Sequence, residues 1–328
     1  MSNIDTIREF DKIKLLADAR RLNILRLLMA SPATLTQLAH RLRHSPAWVS
    51  HHVKALEAAS LVDLVEIRTV GRTTEKYYRA RAGGLLLDEL ILPKTRVPAV
   101  VFSGSHDLAL EGLAQHFASQ LLLLTLYVGS LDGLTNLRQG RCQVSGAHLL
   151  DVSGEYNAPY IRRFFPDRDI ELITLAHRTQ GLVLAPGNPK SIRGLPDLGR
   201  PDIRFVNRNS GSGTRLWLEG ELKRRRQPAA SIHGFEHGVA THTEVAELIR
   251  TGMADVGIGL QAAAHGAGLD FLPLFEERYD LVLQRDLERK LAPILDYLQT
   301  AGFRTTLKSM TGYNTTHSGE QIPIGKGI

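Results

Sequence analysis

Four short segments rich in glycine, serine and threonine are the part of this sequence best suited to binding a small ion. Each follows an apolar run and opens a helical pattern. The four are Ser103-Gly104-Ser105, Gly129-Ser130, Ser210-Gly211-Ser212-Gly213-Thr214 and Thr241-His242-Thr243. A loop that opens a helix directly presents unpaired backbone N–H groups and the positive end of the helix dipole. The repeated arrangement predicts an anion-binding site, although one such loop alone often serves only to cap a helix.

These segments differ from nucleotide-binding and catalytic patterns. The GSGTR turn lacks the spacing and the Lys-Ser/Thr ending of a P-loop, and no G-x-G-x-x-G opens a helix after a strand. No nucleophile-elbow pattern occurs, and no acid–base pair of carboxylates is evident. The sequence therefore predicts a binding protein and not an enzyme.

The cysteine and histidine residues do not form a pattern typical of a metal site. Cys142 is the only cysteine, so the chain has neither an internal disulfide nor a thiolate cluster. His51 and His52 are adjacent and point to different faces of a helix, and the histidines of GFEHGVATH have no regular ligand spacing. We expect no metal site and no resident cofactor.

Strands and helices alternate from Val100 onward. The stretches AVVFSGSHDLALEGLAQHF and RFVNRNSGSGTRLWLEGEL each show the pattern of a strand, a loop and a helix. This alternation predicts an α/β domain with a largely parallel sheet. The preceding stretch, AGGLLLDELILPKTRVPA, contains two prolines and predicts a linker with a short dimerising helix around Leu85 to Ile91.

The first 82 residues have a different pattern, with three short helices followed by a hairpin. Asp18, Thr34 and Ser45 each precede an amphipathic run and are predicted N-caps, and Pro46 suits the first turn of the third helix. Two β-rich segments joined by Gly71-Arg72 then predict a hairpin with a basic tip.

The third helix and the hairpin carry the residues predicted to contact DNA. Short polar side chains near a helix start suit the major groove, and basic residues on a hairpin suit phosphates or the minor groove. The predicted DNA-binding residues are Ser45, Ala47, Trp48, Ser50, His51, Lys54, Arg68, Arg72 and Lys76. Residues 1–95 hold 15 Lys and Arg against 10 Asp and Glu, a net charge of +5, whereas the whole chain carries +6. A local basic excess is typical of a domain that meets nucleic acid, although a solvated surface also explains it.

These N-terminal residues resemble the ArsR-type winged helix-turn-helix over about residues 10–82. The most specific part is SPAWVSHHVKALEAASLV, which is similar to the recognition-helix pattern of that family. The resemblance implies a homodimer that places two recognition helices on a palindromic operator in double-stranded DNA. Metal-sensing members carry a cysteine pair or His/Asp clusters, and no cysteine precedes Cys142, so we expect sensing elsewhere in the chain.

The following residues, about 99–290, resemble the type II periplasmic-binding-protein fold, in particular the molybdate/tungstate-binding-like domains fused to DNA-binding modules. The matching motifs are SGSHDLAL, GSLDGLTNLRQG, GEYN, RTQGL, NRNSGSGTR and LDFLPLFEERYDLV. The resemblance implies two lobes that close on a ligand, with crossing strands near Leu172–Ala176 and Phe271–Leu274.

The same resemblance implies which residues hold the ligand. Hydroxyls and amides at helix starts suit a tetrahedral oxyanion, and an arginine can pair two of its oxygens. The predicted ligand-binding residues are Ser103, Gly104, Ser105, Gly129, Ser130, His148, Arg178, Ser212, Gly213, Thr214, Arg215, His242 and Tyr279. The alternative role of each arginine is a salt bridge, and that of His148 is a hydrogen-bonded loop.

We therefore predict a multidomain protein of mixed α+β and α/β class. A winged helix-turn-helix occupies 1–82, a linker 83–98, a two-lobed periplasmic-binding-protein-like domain 99–317 with its second lobe at about 177–273, and a flexible tail 318–328. No run of about 18 apolar residues and no signal-peptide pattern occurs, so we expect a cytoplasmic protein without a membrane segment.

Three functional hypotheses fit these predictions. The leading one is a dimeric transcription regulator whose operator binding is controlled by a small oxyanion, such as molybdate or tungstate, bound between the lobes. The second keeps the regulator and replaces the effector with a sulfur oxyanion, a small organic anion or a pterin-like metabolite; a pocket lined by Tyr and His would favour it. The third is an enzyme or cofactor-insertion protein with an accessory winged helix.

Overall fold

The chain forms two compact units, Met1–Leu92 and Pro93–Ile328. The computed structural model describes residues 4–70 and 73–324, so the predicted DNA contact Arg72 lies outside the described residues. Within that range no helix is long and apolar enough to cross a membrane.

The described part of the first unit contains helices followed by a hairpin, as predicted. The helices are α1 (Phe10–Leu16), α2 (Ala19–Ala30), α3 (Leu35–Leu42) and α4 (Pro46–Ala58). The strands are β1 (Ile4–Ile7), β2 (Ala33–Thr34), β3 (Val62–Val70), β4 (Thr73–Ala80) and β5 (Gly84–Leu87). Strand β4 pairs antiparallel with both β2 and β3, and β1 pairs with β5 in parallel.

Local sequence determines where the helices of this unit begin. The Asp18 side chain accepts a hydrogen bond from the first turn of α2, Thr34 forms a capping box with Gln37, and Ser45 caps α4 ahead of Pro46. The three predicted N-caps are thus confirmed. The inner faces of the helices meet in a core whose fully buried members include Ile24, Leu25, Leu28, Leu38, Val49, Val53 and Leu56.

The segment after the hairpin is a strand, and the predicted dimerising helix around Leu85 to Ile91 is wrong. Strand β5 pairs in register with β1, and Asp88 N donates to Ile7 O at 2.9 Å. An apolar run without a clear helical or strand periodicity is compatible with either structure. Here the segment forms a strand because β1, from the other end of the unit, pairs with it. Residues 83–92, predicted as linker, therefore fold with the first unit.

The described part of the second unit alternates strands and helices. The strands are β6 (Ala99–Gly104), β7 (Leu122–Tyr127), β8 (Val144–Ala147), β9 (Ile170–Leu184), β10 (Phe205–Arg208), β11 (Gly238–Val239), β12 (Val256–Leu260), β13 (Asp270–Gln284) and β14 (Tyr313–Asn314). The helices are α5 (Leu108–His116), α6 (Ser130–Arg138), α7 (Ala158–Phe164), α8 (Gly213–Arg225), α9 (His242–Arg250), α10 (Gln261–Gly266), α11 (Glu288–Leu298) and α12 (Ala301–Lys308).

Two long strands connect the two lobes of this unit. The sheet order is β11-β10-β12-β9-β13-β8-β6-β7, with β14 also on β9. In the first lobe β6 pairs in parallel with β7 and β8, and β8 joins the 280–283 end of β13. In the second lobe β10 pairs in parallel with β11 and β12, and β12 joins the 180–184 end of β9. The outer strands are parallel as predicted, but β9 and β13 are antiparallel to each other, so the sheet is mixed.

The last described residues are packed, contrary to the predicted flexible tail from residue 318. Ser318 Oγ donates to Leu175 O at 2.5 Å, and Ile322 N donates to Leu172 O at 2.7 Å. Ile322 and Ile324 also pack against an apolar cluster of the first lobe. The Gly-rich, polar sequence did not indicate these contacts, because most of the hydrogen bonds join its backbone to that of β9.

Candidate functional site

The outer face of α4 carries most of the residues predicted to read DNA. Ala47, His51 and Lys54 are exposed and Ser50 is half-buried, whereas the neighbouring Val49 is fully buried. The core therefore uses one side of the helix, and the other side presents short polar side chains and one cation. That arrangement is suited to a major groove.

Two of the predicted residues have structural contacts at the start of α4. Ser45 Oγ accepts from Trp48 N at 3.2 Å. The Trp48 ring stacks on His44 with centroids 3.8 Å apart and meets the edge of His52 at 4.3 Å. These contacts order the first turn of the helix and so orient the exposed residues that follow.

The hairpin presents its basic residues on two faces. Arg68 makes hydrogen bonds of 2.6 and 2.8 Å to the carboxylate of Glu66 and lies 4.8 Å from the ring centroid of Tyr77. Lys76 is paired across the ladder with Ile67, the residue before Arg68. Because side chains alternate along a strand, Arg68 and Lys76 point to opposite faces. Both side chains are exposed, but Arg68 forms an ion pair with Glu66.

In the second unit, most of the predicted ligand-binding residues are buried where the two lobes meet. Ser103 and Gly104 end β6, and Ser105 follows them. Gly129 and Ser130 begin α6, Ser212 to Arg215 begin α8, and His242 begins α9. His148 follows β8, and Arg178 and Tyr279 lie on the crossing strands. Their hydroxyl, imidazole and guanidinium groups are nearly all shielded from solvent.

Hydroxyl groups connect the loops of the first lobe. The Ser105 and Ser130 Oγ atoms are 2.9 Å apart, and Ser130 Oγ accepts from His148 N at 3.3 Å. Tyr279 OH donates to Ser105 O at 2.5 Å. Ser103, in contrast, accepts from Asn136 through its Oγ, so its hydroxyl serves the packing of α6.

The two lobes touch at Gly129. Its φ is +94°, and a methyl group there would lie 2.9 Å from Ser212 N. Asn209 Nδ2 donates to Val128 O at 2.7 Å, and Leu131 N donates to Gly211 O at 3.1 Å. Only glycine allows this approach, so the glycine is required by the contact between the lobes.

Arg178 is fully buried and held by two carboxylates. Its Nε donates to Glu277 at 2.7 Å and its Nη1 donates to Asp107 at 2.5 Å, while its Cζ lies 4.2 Å from the ring centroid of Tyr279. Burial disfavours the charge, but Glu277 and Asp107 outweigh burial and raise the pKa of Arg178. The predicted salt bridge thus explains the contacts of Nε and Nη1 of Arg178. Its Nη2 has no partner among the described residues.

Glu277 organises the residues around it. It accepts from His148 Nδ1 at 2.7 Å and from Gln180 Nε2 at 2.5 Å, and Gln180 in turn accepts from the Thr214 hydroxyl at 2.9 Å. Burial raises the pKa of Glu277, but its cationic and hydrogen-bonding neighbours lower it overall. Burial also lowers the pKa of His148. A neutral His148 that donates through Nδ1 has Nε2 left as an acceptor, and that atom is buried without a partner in residues 4–70 and 73–324.

Arg208 is the second fully buried guanidinium. It donates to Val239 O, to Ala240 O and, at 2.7 Å, to His242 Nε2. No carboxylate of the described residues forms an ion pair with it. Burial, followed by the positive charge of Arg178, lowers the pKa of Arg208 to about 9, so it is still charged at neutral pH.

His242 adds an unused donor beside Arg208. Burial lowers the pKa of His242 well below its ordinary value. Because Nε2 accepts from Arg208, the proton of the neutral ring lies on Nδ1, which has no partner in the part of the chain that the structure describes. We call Arg178, Arg208, His148, His242 and Glu277 the interlobe centre. It leaves two donors and one acceptor unused, together with one cation that lacks a carboxylate.

Arg215 is not part of the interlobe centre. Its guanidinium donates to Glu219 and to Glu236, both at 2.9 Å, and lies over the ring of Phe235. These contacts match the alternative role predicted for Arg215, which was a salt bridge. The described residues also contain no group of three or more His, Cys, Asp or Glu placed to hold a metal ion.

Four residues of the site were missed from sequence. Arg208 ends β10 in FVNR, Asp107 caps α5, and Gln180 and Glu277 lie within the long strands. Polar side chains within otherwise apolar strands were the available signal, since a buried strand tolerates them only with partners. Their pairing could not be seen, because Arg178 and Glu277 lie 99 residues apart.

A winged helix with an exposed recognition face, joined to a two-lobed domain with a buried polar centre, defines a DNA-binding regulator with a ligand-binding domain. The family model of the PBP superfamily domain matches residues 112–299, more than half of the chain, and that of the arsR family of bacterial regulatory proteins matches residues 18–63. The chain belongs to the PBP superfamily and carries an ArsR-type DNA-binding domain at its N-terminal end. Neither matching model describes an enzyme.

Known proteins align with parts of the chain. It is 37% identical over 228 residues to the uncharacterized protein YvgK of Bacillus subtilis, covering 69% of this chain and 74% of that protein. It is 30% identical over 95 residues to an uncharacterized protein encoded upstream of a 2Fe-2S ferredoxin gene in Clostridium pasteurianum, covering 28% of this chain and 84% of that protein. Among solved structures, an ABC-type phosphate transport receptor from Vibrio cholerae aligns with 65% of this chain and 98% of its own at 15% identity and a TM-score of 0.41.

Proposed function

We propose that this protein is a transcription regulator whose operator binding is controlled by a small oxyanion closed between the two lobes, with molybdate or tungstate as the first candidates. The DNA is a palindromic operator bound by a homodimer, which requires a cytoplasmic location. Closure of the lobes on the anion changes the spacing or orientation of the paired recognition helices, and half-site spacing is a geometric requirement of dimeric binders.

The observation that carries the proposal is the buried Arg208. An ionised guanidinium taken out of water is costly unless an opposite charge meets it. No carboxylate of the described residues forms an ion pair with Arg208, and the charges of Glu277 and Glu244 offset its burial only in part. Two donors of the other side chains in the centre, Arg178 Nη2 and His242 Nδ1, have no partner among the described residues. A bound oxyanion would supply acceptors for all three groups.

The helix starts around the centre support the same ligand class. Helices α6, α8 and α9 all begin where the lobes meet, and helix N-termini favour negative charge by about 0.3–1 kcal/mol each at exposed sites. Ser130, at the start of α6, is fully buried there.

A thermal-shift panel tests the proposal. The anions are molybdate, tungstate, sulfate, sulfite, thiosulfate, phosphate and small carboxylates. An effector at 100 times its Kd should stabilise the protein by about 2.7 kcal/mol. The stabilising anion should then change the affinity of the protein for its flanking intergenic DNA in a gel-shift assay. A panel in which no anion raises the melting temperature overturns the proposal.

His51→Ala separates the proposal from an enzyme that carries an accessory winged helix. The regulator requires that this exposed residue of α4 affects DNA binding and leaves the anion-dependent thermal shift intact. An enzyme would instead turn over a substrate, and His51→Ala would not change its biological function.

A further inference from the structure

A groove of about 400 Å³ opens beside the interlobe centre, between α8 of the second lobe and the residues that follow β8 in the first. His148 and Glu277 line it, so the groove and the centre share two residues. Its volume lies within the range of sites that bind small organic molecules, about 300–1,000 Å³. A tetrahedral oxyanion would fill only a small part of it.

Aromatic rings form the walls of the groove. Trp217 on α8 and Phe275 on β13 stack with centroids 3.8 Å apart and an angle of 22° between their planes. Tyr156 and Tyr160 line the groove from the first lobe. All four side chains are only half-buried. Half-exposed rings within a concave site favour a flat ring as ligand, because stacking and burial of apolar area act on the same group.

The unused atom of His148 further restricts the ligand. Burial lowers the pKa of His148, and in the neutral ring Nδ1 donates to Glu277 and Nε2 is left as an acceptor. A fully ionised inorganic oxyanion offers only acceptors, and an acceptor placed against an acceptor leaves both unsatisfied. A ligand that reaches His148 therefore needs an N–H or O–H group at that position.

We infer that the groove is a second subsite, which takes the planar ring of an organic anion whose negative group lies at Arg208. The inference rests on the proposed function and narrows its effector. The ligand has three parts: an anionic group for the interlobe centre, an N–H or O–H donor for His148, and a flat aromatic or heterocyclic ring for the groove.

Filling the groove tests the inference without touching the interlobe centre. Gly220 lies in α8 and lines the groove, and a methyl group added there meets no atom within 4 Å. Gly220→Leu should occupy the space of the ring while leaving the helix intact, since leucine is the better helix former. Gly112→Leu is the matched control, because Gly112 is also helical, equally open at its Cβ position and absent from the groove.

The probes are pterin-6-carboxylate, which joins a flat heterocycle, N–H donors and a carboxylate, and molybdate, which has only the anionic part. Calorimetry should show pterin-6-carboxylate binding at least tenfold tighter to the wild type and to Gly112→Leu than to Gly220→Leu. Molybdate should bind all three proteins equally.

Trp217 supplies a direct optical signal. The chain has two tryptophans, so Trp48→Phe leaves Trp217 as the only one. A ring stacked in the groove should quench its fluorescence, and molybdate should leave the fluorescence unchanged.

The outcomes separate the inference from the proposed function. If molybdate binds and pterin-6-carboxylate does not, or if Gly220→Leu binds pterin-6-carboxylate as tightly as the wild type, the second subsite is refuted and the oxyanion regulator stands. If neither probe binds, both the second subsite and the oxyanion regulator are refuted. Tenfold weaker binding of pterin-6-carboxylate to Gly220→Leu alone, together with quenching of Trp217, supports the subsite.

Discussion

The two units of this protein use their positive charges in opposite ways. In the winged helix Lys54 and Lys76 are exposed, and Arg68 is an exposed side chain held by Glu66 and the ring of Tyr77. In the two-lobed unit Arg178 and Arg208 are fully buried. An exposed cation attracts a polyanion over a distance and is screened by salt, whereas a buried one acts at short range on one small ligand. DNA binding should therefore depend strongly on salt concentration, and effector binding only weakly.

Arg208→Met is the strongest test of the role of the buried cations in effector binding. Removal of the unpaired cation should weaken effector binding at least a hundredfold, or about 2.7 kcal/mol, as measured by calorimetry. The stability of the ligand-free protein should change little, because removal of a buried charge offsets the loss of the hydrogen bonds to Val239 O, Ala240 O and His242 Nε2. Arg204→Met is the control, since Arg204 pairs with Asp255. Equal losses of effector affinity in both variants would contradict the assignment.

His51→Ala on α4 tests the role of the exposed face of the winged helix in DNA binding. Loss of a side chain that contacts a base should cost about 1–3 kcal/mol and relax the preference for one operator position. Binding to a set of operators with single base changes measures this. A uniform loss across all of them would instead place His51 against phosphate.

The contact between the lobes gives an intermediate effect. Gly129→Ala adds a methyl group 2.9 Å from Ser212 N, so the closed form should be disfavoured and effector affinity should fall about tenfold by the cost of strain and clash. Gly140→Ala also places an alanine at positive φ, +73°, but has no atom near the added methyl group. Similar effector affinities for the two variants would show that closure does not depend on Gly129.

Burial of His242 should appear in the pH dependence of stability. Its pKa is well below 6.5 in the folded protein and near 6.5 in the unfolded chain, which then binds more protons. The stability it contributes is present above pH 6.5 and declines as the pH falls below it. Urea unfolding at pH 7 and pH 5 should show a smaller decline for His242→Gln than for the wild type. His40→Gln, at an exposed histidine, should match the wild type.

The smallest effect concerns the hairpin. Lys76→Ala should reduce the salt dependence of DNA binding by about 0.9 in the logarithmic slope, the value for one phosphate contact. Arg68→Ala should reduce it less, because Glu66 already neutralises this guanidinium. If Arg68→Ala has the larger effect, the face of the hairpin that carries Lys76 points away from DNA.

Much of the first unit was predictable because its signals are local. Helix caps at Asp18, Thr34 and Ser45 act within three residues, and the inner face of α4 follows from one helical period. The strand β5 was mistaken for a helix because its partner β1 lies at the other end of the unit.

The second unit was predictable as a set of loops at strand ends, and the structure brings most of those loops together. What could not be predicted was which charges pair. Arg178 was singled out, but its two carboxylates were not. Arg215 was placed at the ligand, whereas Glu219 and Glu236 engage it. For Arg208 the only signal was a charged side chain at the end of a short strand.

The sequence by itself determined the helix starts of the first unit, the exposed face of α4 and the glycine- and serine-rich loops, since each depends on neighbours within about one helical turn. Only the tertiary structure decided that Arg208 lacks a carboxylate, that His148 keeps a free acceptor and that a groove lined by aromatic rings lies next to both. The physical reason is that desolvation and ion pairing depend on what surrounds a side chain in three dimensions. In this unit those neighbours come from strands and loops far apart in the chain.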